Sequence, residues 1–148
     1  PYYVNMVYTD RVACPSALQV YMPTDSTAPM WCTAAGKVYL STLPKEERAS
    51  LIKHLPLTAI TPATLTEVGA LNQSIDQTAN QQYGVSDEEY IEQTVSVAVA
   101  INDTQGRYIG SLYTTAPKMR KSLADLVSFV PDMHKAAKDI CEGFFESA

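Results

Sequence analysis

The chain has 148 residues, 46% of them hydrophobic and 18% charged. That is the size and apolar content of one compact domain over residues 1–148, and it excludes intrinsic disorder or a second ordinary fold. A formal net charge of -5, with 11 Lys+Arg against 16 Asp+Glu, argues against direct neutralisation of a nucleic-acid backbone, and the longest apolar stretch, Val95 to Ile101, is far shorter than the ~20 residues that cross a bilayer.

Met6 to Val12 and Leu18 to Met22 are β-branched and aromatic runs separated by Cys14-Pro15-Ser16 turn chemistry, which predicts a pair of strands. Thr33 or Cys32 then caps a short helix over Ala34 to Leu40, with Gly36 in its first turn. Pro44 is suited to a first helical position, and Arg48, Leu51, Ile52 and Leu55 recur at helical steps until Pro56. A one-sided surface helix follows through Leu65, Val68, Leu71, Ile75 and Ala79, closed by Tyr83-Gly84 in a C′ glycine arrangement. Ser96 to Ile101 reads as a central strand, Asn102 to Gly106 as a hairpin turn, and Arg107 to Thr115 as the antiparallel partner. Helical period resumes from Leu123 to Phe144, with Pro131 kinking or splitting the helix. The elements describe one α+β layer structure.

Three widely spaced cysteines, Cys14, Cys32 and Cys141, with no CxxC, fit free thiols in a reducing compartment, the cytosol by default. No export signal is visible at Pro1-Tyr2-Tyr3. His54 and His134 belong to no metal-ligand spacing, and neither a nucleophile elbow nor a glycine-rich nucleotide loop is present, so no metal, cofactor or catalytic residue is assigned. The acidic run Asp87-Glu88-Glu89 is chiefly a solvated charge cluster. Side chains along an extended segment alternate, so only Asp87 and Glu89 could converge there.

Two features can serve a ligand. Small residues in Cys32-Thr-Ala-Ala-Gly-Lys37 leave the N–H groups of a helix start open to an anion, although the same residues equally permit close helix–sheet packing. In the hairpin, Ser96 on one strand and Ser111, Tyr113 and Thr115 on the other set hydroxyls among apolar neighbours. Such a face can floor a pocket or satisfy itself on nearby backbone.

Tyr8-Thr-Asp-Arg-Val12, Pro29-Met-Trp-Cys-Thr-Ala-Ala-Gly-Lys37, Leu43-Pro44, Tyr83-Gly-Val-Ser-Asp-Glu-Glu89 and Asp103-Thr-Gln-Gly106 together resemble the effector-binding domain of the IclR family of bacterial transcription regulators. The resemblance covers nearly the whole chain. It implies a profilin-like or GAF-like α+β fold, a curved antiparallel sheet flanked by helices around a small-molecule pocket. It further implies a dimer or tetramer, and DNA contact only through an N-terminal winged helix-turn-helix not included in this sequence, which looks N-terminally truncated. By the same resemblance a small organic acid is gripped by the main-chain amides of Ala34 and Ala35 after Thr33, over a floor at Ser96, Tyr113 and Thr115, with Val20, Met22 and Thr94 as wall positions. Four residues depart from the family pattern: Ser86 where Asp is frequent, Gln93 for Gly, Ala100 for Pro, and Tyr113 for Ser. A ligand group once held by an acid at 86 would then turn to Asp87 or to neutral donors. The function expected is a non-enzymatic sensor whose ligand shifts assembly and thereby DNA affinity. The rivals are an oligomerisation module with its pocket occluded by Tyr113 and Trp31, and acid/base chemistry around Asp87, Glu89 and Tyr113.

Overall fold

In the computed structural model, which describes residues 4–16 and 18–146, the valine-rich run Thr94–Asn102 is the central strand of a three-stranded antiparallel sheet. We label the elements in chain order: β1 (Asn5–Val7), β2 (Thr27–Pro29), α1 (Ala34–Thr42), α2 (Lys45–Ile52), α3 (Val68–Gln81), β3 (Gly84–Asp87), β4 (Thr94–Asn102), β5 (Tyr108–Pro117), α4 (Leu123–Val127) and α5 (Val130–Glu146). The starting residues Pro1, Tyr2 and Tyr3 lie outside the described residues.

Alternation along β4 decides the layering. Val95, Val97 and Val99 are fully buried on one face against Leu126, Val130, Met133 and Ala137 of α4 and α5. The even-numbered face carries Ser96, Ala98 and Ala100, and Ala98 packs with Ala34 and Val38 of α1. Small side chains let that helix settle close. Gly84 completes the fit, because a Cβ there would stand 2.5 Å from the Ala34 carbonyl oxygen. Behind α1, a second cluster joins Met30, Trp31, Cys32, Leu40, Ile52, Leu55, Leu71 and Ile75.

The expected hairpin is present as β4 and β5, with β5 running on to Pro117 and a register irregularity between Ile101 and Asn102. Asp103 organises its turn, accepting from the amides of Gln105 and Arg107 and from the Arg107 Nε.

Three expectations are corrected, and a fourth, the splitting of the C-terminal helix near Pro131, is present. The first strand pairs with Thr27–Pro29 rather than with Leu18 to Met22, which forms no strand. Leu18, Gln19 and Tyr21 are exposed and only Val20 and Met22 of that run turn inward, toward the cavity and groove beside β5, while Pro23 follows the run directly. The long surface helix begins at Val68 and is closed by Gln82 in the left-handed region at φ 64°, not by Gly84. Pro44 is the cap preceding α2 rather than its first residue. The C-terminal helical period is split at Ser128–Phe129, and Pro131 sits in the first turn of α5, where its missing N–H has no helical partner to lose.

Candidate functional site

Strand register sets three hydroxyls in a row: Ser86 of β3 lies opposite Ser96 of β4, which lies opposite Thr115 of β5. Their bonds are already internal. Ser86 Oγ donates to the Cys32 carbonyl at 2.9 Å, Ser96 Oγ to Thr115 Oγ1 at 2.8 Å, and Thr115 Oγ1 to the Val95 carbonyl at 3.2 Å. The row is a polar surface that holds the sheet and the helix start together.

Facing it is the beginning of α1. Thr33 caps the helix, its Oγ1 accepting from the Gly36 amide at 3.2 Å while donating to the Pro29 carbonyl at 2.9 Å. The Lys37 amide closes the first turn on the Thr33 carbonyl at 3.1 Å. The N–H groups of Ala34 and Ala35 find no acceptor among the described residues, as the opening turn of a helix dictates.

These elements enclose a cavity of about 30 Å³ lined by Met22, Thr33, Ala34, Ala35, Ser86, Thr94, Ser96, Tyr113 and Thr115, together with Tyr8, Tyr90 and Ile91. Of the residues singled out from sequence, Val20 lies instead on a neighbouring groove of about 420 Å³. Asp87 is exposed and pairs with Lys118 at 2.7 Å. Tyr8, Tyr90 and Ile91 were not anticipated. Tyr8 follows β1 directly, and no periodicity announces that its ring meets that of Tyr113 on β5, with centroids 5.2 Å apart. Trp31 does not line the cavity. It is buried in the core behind α1, and its Nε1 donates to the Thr58 carbonyl.

Among the described residues the lining includes no acidic or basic side chain. Its free donors are the two alanine amides and the phenols of Tyr8, Tyr90 and Tyr113, none of which has an internal hydrogen-bond partner among the described residues. Burial pushes all three phenols up. For Tyr8 the neighbouring Tyr113, Tyr90 and Cys32 add to the rise, and for Tyr113 the charge of Arg11 opposes it. They therefore stay neutral donors through the physiological range. Beside them the Cys32 thiol is pushed up to about 12 by burial and by the charge of Glu89, partly offset by Lys37. A thiol so protonated is a poor nucleophile.

The acidic run divides differently from the alternation expected of it. Glu88 has φ 60°, so the strand ends there, and Asp87 and Glu88 converge on Lys118, each at 2.7 Å. Glu89 turns inward to Lys37, with Oε1 2.6 Å from Nζ, while Nζ also donates to the Val85 carbonyl at 3.0 Å. Gln93 is also left-handed at φ 57°, and Glu88 Oε1 accepts from both its amide and its side chain. Lys37 and Glu89 thus tie the helix that presents the open amides to the loop that presents Tyr90 and Ile91.

Residues 4–142 match the model of the bacterial transcriptional regulator IclR C-terminal family. The chain belongs to the IclR C-terminal family. SauR of Cupriavidus necator is 32% identical over 142 residues, covering 96% of this chain and 56% of that protein. The PobR inducer-binding domain from Acinetobacter, a double mutant solved as a complex with 3-hydroxybenzoic acid, superposes with a TM-score of 0.77 at 25% identity, covering 89% of this chain and 74% of that one. The IclR of Thermotoga maritima shares the fold, with a TM-score of 0.86 at 21% identity over 95% of this chain and 57% of that one. The chain spans about half the length of the curated relatives it matches. Its α+β fold is that of the IclR C-terminal domains it matches. No helix among its described residues is long and apolar enough to cross a membrane.

Proposed function

We propose that this domain senses a small organic acid, whose carboxylate docks on the Ala34 and Ala35 amides, and that occupancy changes how copies of the chain assemble and so the DNA affinity of an N-terminal domain. The observation that carries the reading is the pair of unpartnered N–H groups at the start of α1, on two residues that line a cavity whose described lining holds neutral donors and no carboxylate. Helix-start amides favour an anion by about 0.3–1 kcal/mol each when exposed and up to about 2 kcal/mol when partly buried. The proposed effector-binding set is Met22, Thr33, Ala34, Ala35, Thr94, Ser96, Tyr113 and Thr115 with Tyr8 and Tyr90. Ser86 supports it through Cys32, and Val20 and Asp87 stand outside it. The residues give no enzymatic reading, since no nucleophile and base meet in the cavity.

Calorimetric titration with small carboxylates tests the proposal. Ala35→Pro removes one donor at a helical position that tolerates proline and leaves the net charge unchanged. Acids should bind the natural chain and lose at least about tenfold in affinity in this variant, the scale of a hydrogen bond to a charged group. Unchanged affinity in Ala35→Pro refutes the amide grip.

A second reading is favoured by one feature of the geometry, the small size of the cavity. About 30 Å³ is about one water's share of liquid volume, and the Tyr8 and Tyr113 rings, with centroids 5.2 Å apart, both line it. On that reading the domain only assembles, and no acid changes its unfolding temperature.

A further inference from the structure

The cavity shares a wall with a wider groove. Met22, Tyr113 and Thr115 line both, and the groove, about 420 Å³, is completed by Asp10 to Cys14, Gln19, Val20, the outer part of β5 and Arg120. Its volume falls within the roughly 300–1,000 Å³ of small-molecule sites.

Two arginines, Arg11 and Arg120, are among the residues that line this groove. Arg11 lies over the Tyr21 ring, its central carbon 4.9 Å from the centroid, close enough to β5 for its charge to act on the Tyr113 phenol. Arg120 donates to the Leu18 carbonyl at 2.9 Å and approaches Cys14 Sγ at 3.4 Å. Neither has a carboxylate partner among the described residues, a state shared with Lys45, Lys53 and Lys121, none of which lines the groove, whereas Lys37, Arg48, Arg107, Lys118, Lys135 and Lys138 are paired. The one carboxylate of the groove, Asp10, accepts from the Arg11 backbone amide rather than from its guanidinium. In a chain of net charge -5, two unneutralised arginines on one concave surface are a complementary face for an anion. Their planar forks suit a carboxylate's two oxygens.

We propose that the effector is a small dianion, a dicarboxylate in its simplest form, with one acid group on the Ala34 and Ala35 amides and the other in this groove against Arg11 and Arg120. The inference rests on the reading above for its first anchor and adds the second. The body of such a ligand crosses the common wall at Tyr113, so the outer groove supplies the room that the inner cavity lacks.

The test is isothermal calorimetry of the chain with matched probes: butyrate against succinate, valerate against glutarate, hexanoate against adipate, and benzoate against isophthalate. At least one diacid should bind about tenfold or more tightly than its monoacid partner, since a charge-assisted contact is of that size. Arg11→Gln with Arg120→Gln should bring that diacid to the monoacid's affinity and leave the monoacid unchanged. Arg120→Lys, which keeps the charge but loses the planar fork, should retain only part of the advantage, more than Arg120→Gln does. Arg11→Gln alone, which leaves the Arg120 contacts to Leu18 and Cys14 intact, should remove part of it even if the double variant proves loosely folded. Diacids no tighter than monoacids in every pair, or an advantage that survives both glutamines, overturns the proposal. Loss of monoacid and diacid binding together in Ala35→Pro supports the first anchor, and a preference kept there by diacids alone would locate their binding in the outer groove only, against the two-anchor arrangement. If no probe binds the natural chain, the sensing function falls, and this inference with it.

Discussion

Lys37 holds its ammonium at 1% exposure against Glu89, whose second oxygen is the one buried side-chain polar atom without a partner among the described residues. Ion pairs at such depth cost desolvation that their attraction barely offsets, but removing one partner leaves a charge stranded. Lys37→Met should therefore destabilise the domain by about 3–5 kcal/mol in urea unfolding, while Lys37→Met with Glu89→Leu should recover most of the loss. A single substitution no worse than the double contradicts this account. The pair also fixes a pH dependence. Burial, partly offset by the Lys37 charge, raises the Glu89 carboxyl above its ordinary value. Stability contributed by a group whose folded pKa is raised is fully present below its unfolded pKa and is lost as pH rises through the folded one. The stability of the natural chain relative to Glu89→Gln should accordingly fall from acid toward neutral pH, and a flat difference across that range counts against it. The position of Lys37 in a T-x-x-G-K run was visible in the sequence. Its partner 52 residues later was not, because alternation along an extended segment assigned Glu89 to the same side as Asp87, and a left-handed Glu88 breaks that alternation.

At the scale of elements, two glycines show which reading of the small residues around α1 the packing requires. A Cβ on Gly36 would lie 2.0 Å from the Met30 carbonyl oxygen, and one on Gly84 would lie 2.5 Å from that of Ala34. In both cases the obstacle is backbone, which cannot step aside as a flexible side chain would. Close packing is thus a structural demand of this helix start, and the open amides of Ala34 and Ala35 come with it. Gly36→Ala and Gly84→Ala should each cost at least about 1–3 kcal/mol by overpacking, read as a lowered urea midpoint with an unchanged slope. Gly69→Ala, whose added Cβ meets nothing within 4 Å inside α3, should be neutral or stabilising by up to about 1 kcal/mol from helix propensity. A ranking that placed Gly69 beside the other two would undo the argument. Elements with strong local period, α1, α3, β4 and β5, were legible from spacing alone. The N-terminal pairing was not, since the choice of partner for β1 depends on how residues 8–26 cross the sheet, and Asp25 at φ 62° with its amide bonded to the Tyr8 carbonyl closes that excursion without a sequence period to announce it.

For the whole molecule, the face of the sheet that carries Ser96, Ala98, Tyr113 and Thr115 is both a packing surface and the floor of the cavity, so occupancy and stability are linked. The hydroxyl row and the helix start could be named from sequence because each lies on a regular element. The tyrosine wall could not, because Tyr8, Tyr90 and Tyr113 arrive from three separate segments. Tyr113 decides how much room remains. It is half-buried against Tyr8 and the Ala34–Val38–Ala98 cluster, and removing a large aromatic side chain from a packed setting costs about 3–5 kcal/mol, less where exposure is partial. Tyr113→Ser should lower the unfolding temperature and at the same time merge the cavity with the outer groove. A ligand at 100 times its dissociation constant returns about 2.7 kcal/mol, roughly 5–10 °C for a domain of this size. In thermal unfolding with and without saturating benzoate, the variant should start lower yet rise by more than the natural chain. An equal rise in both places the acid away from Tyr113, and no rise in either leaves a domain whose pocket is solid and whose role is assembly alone.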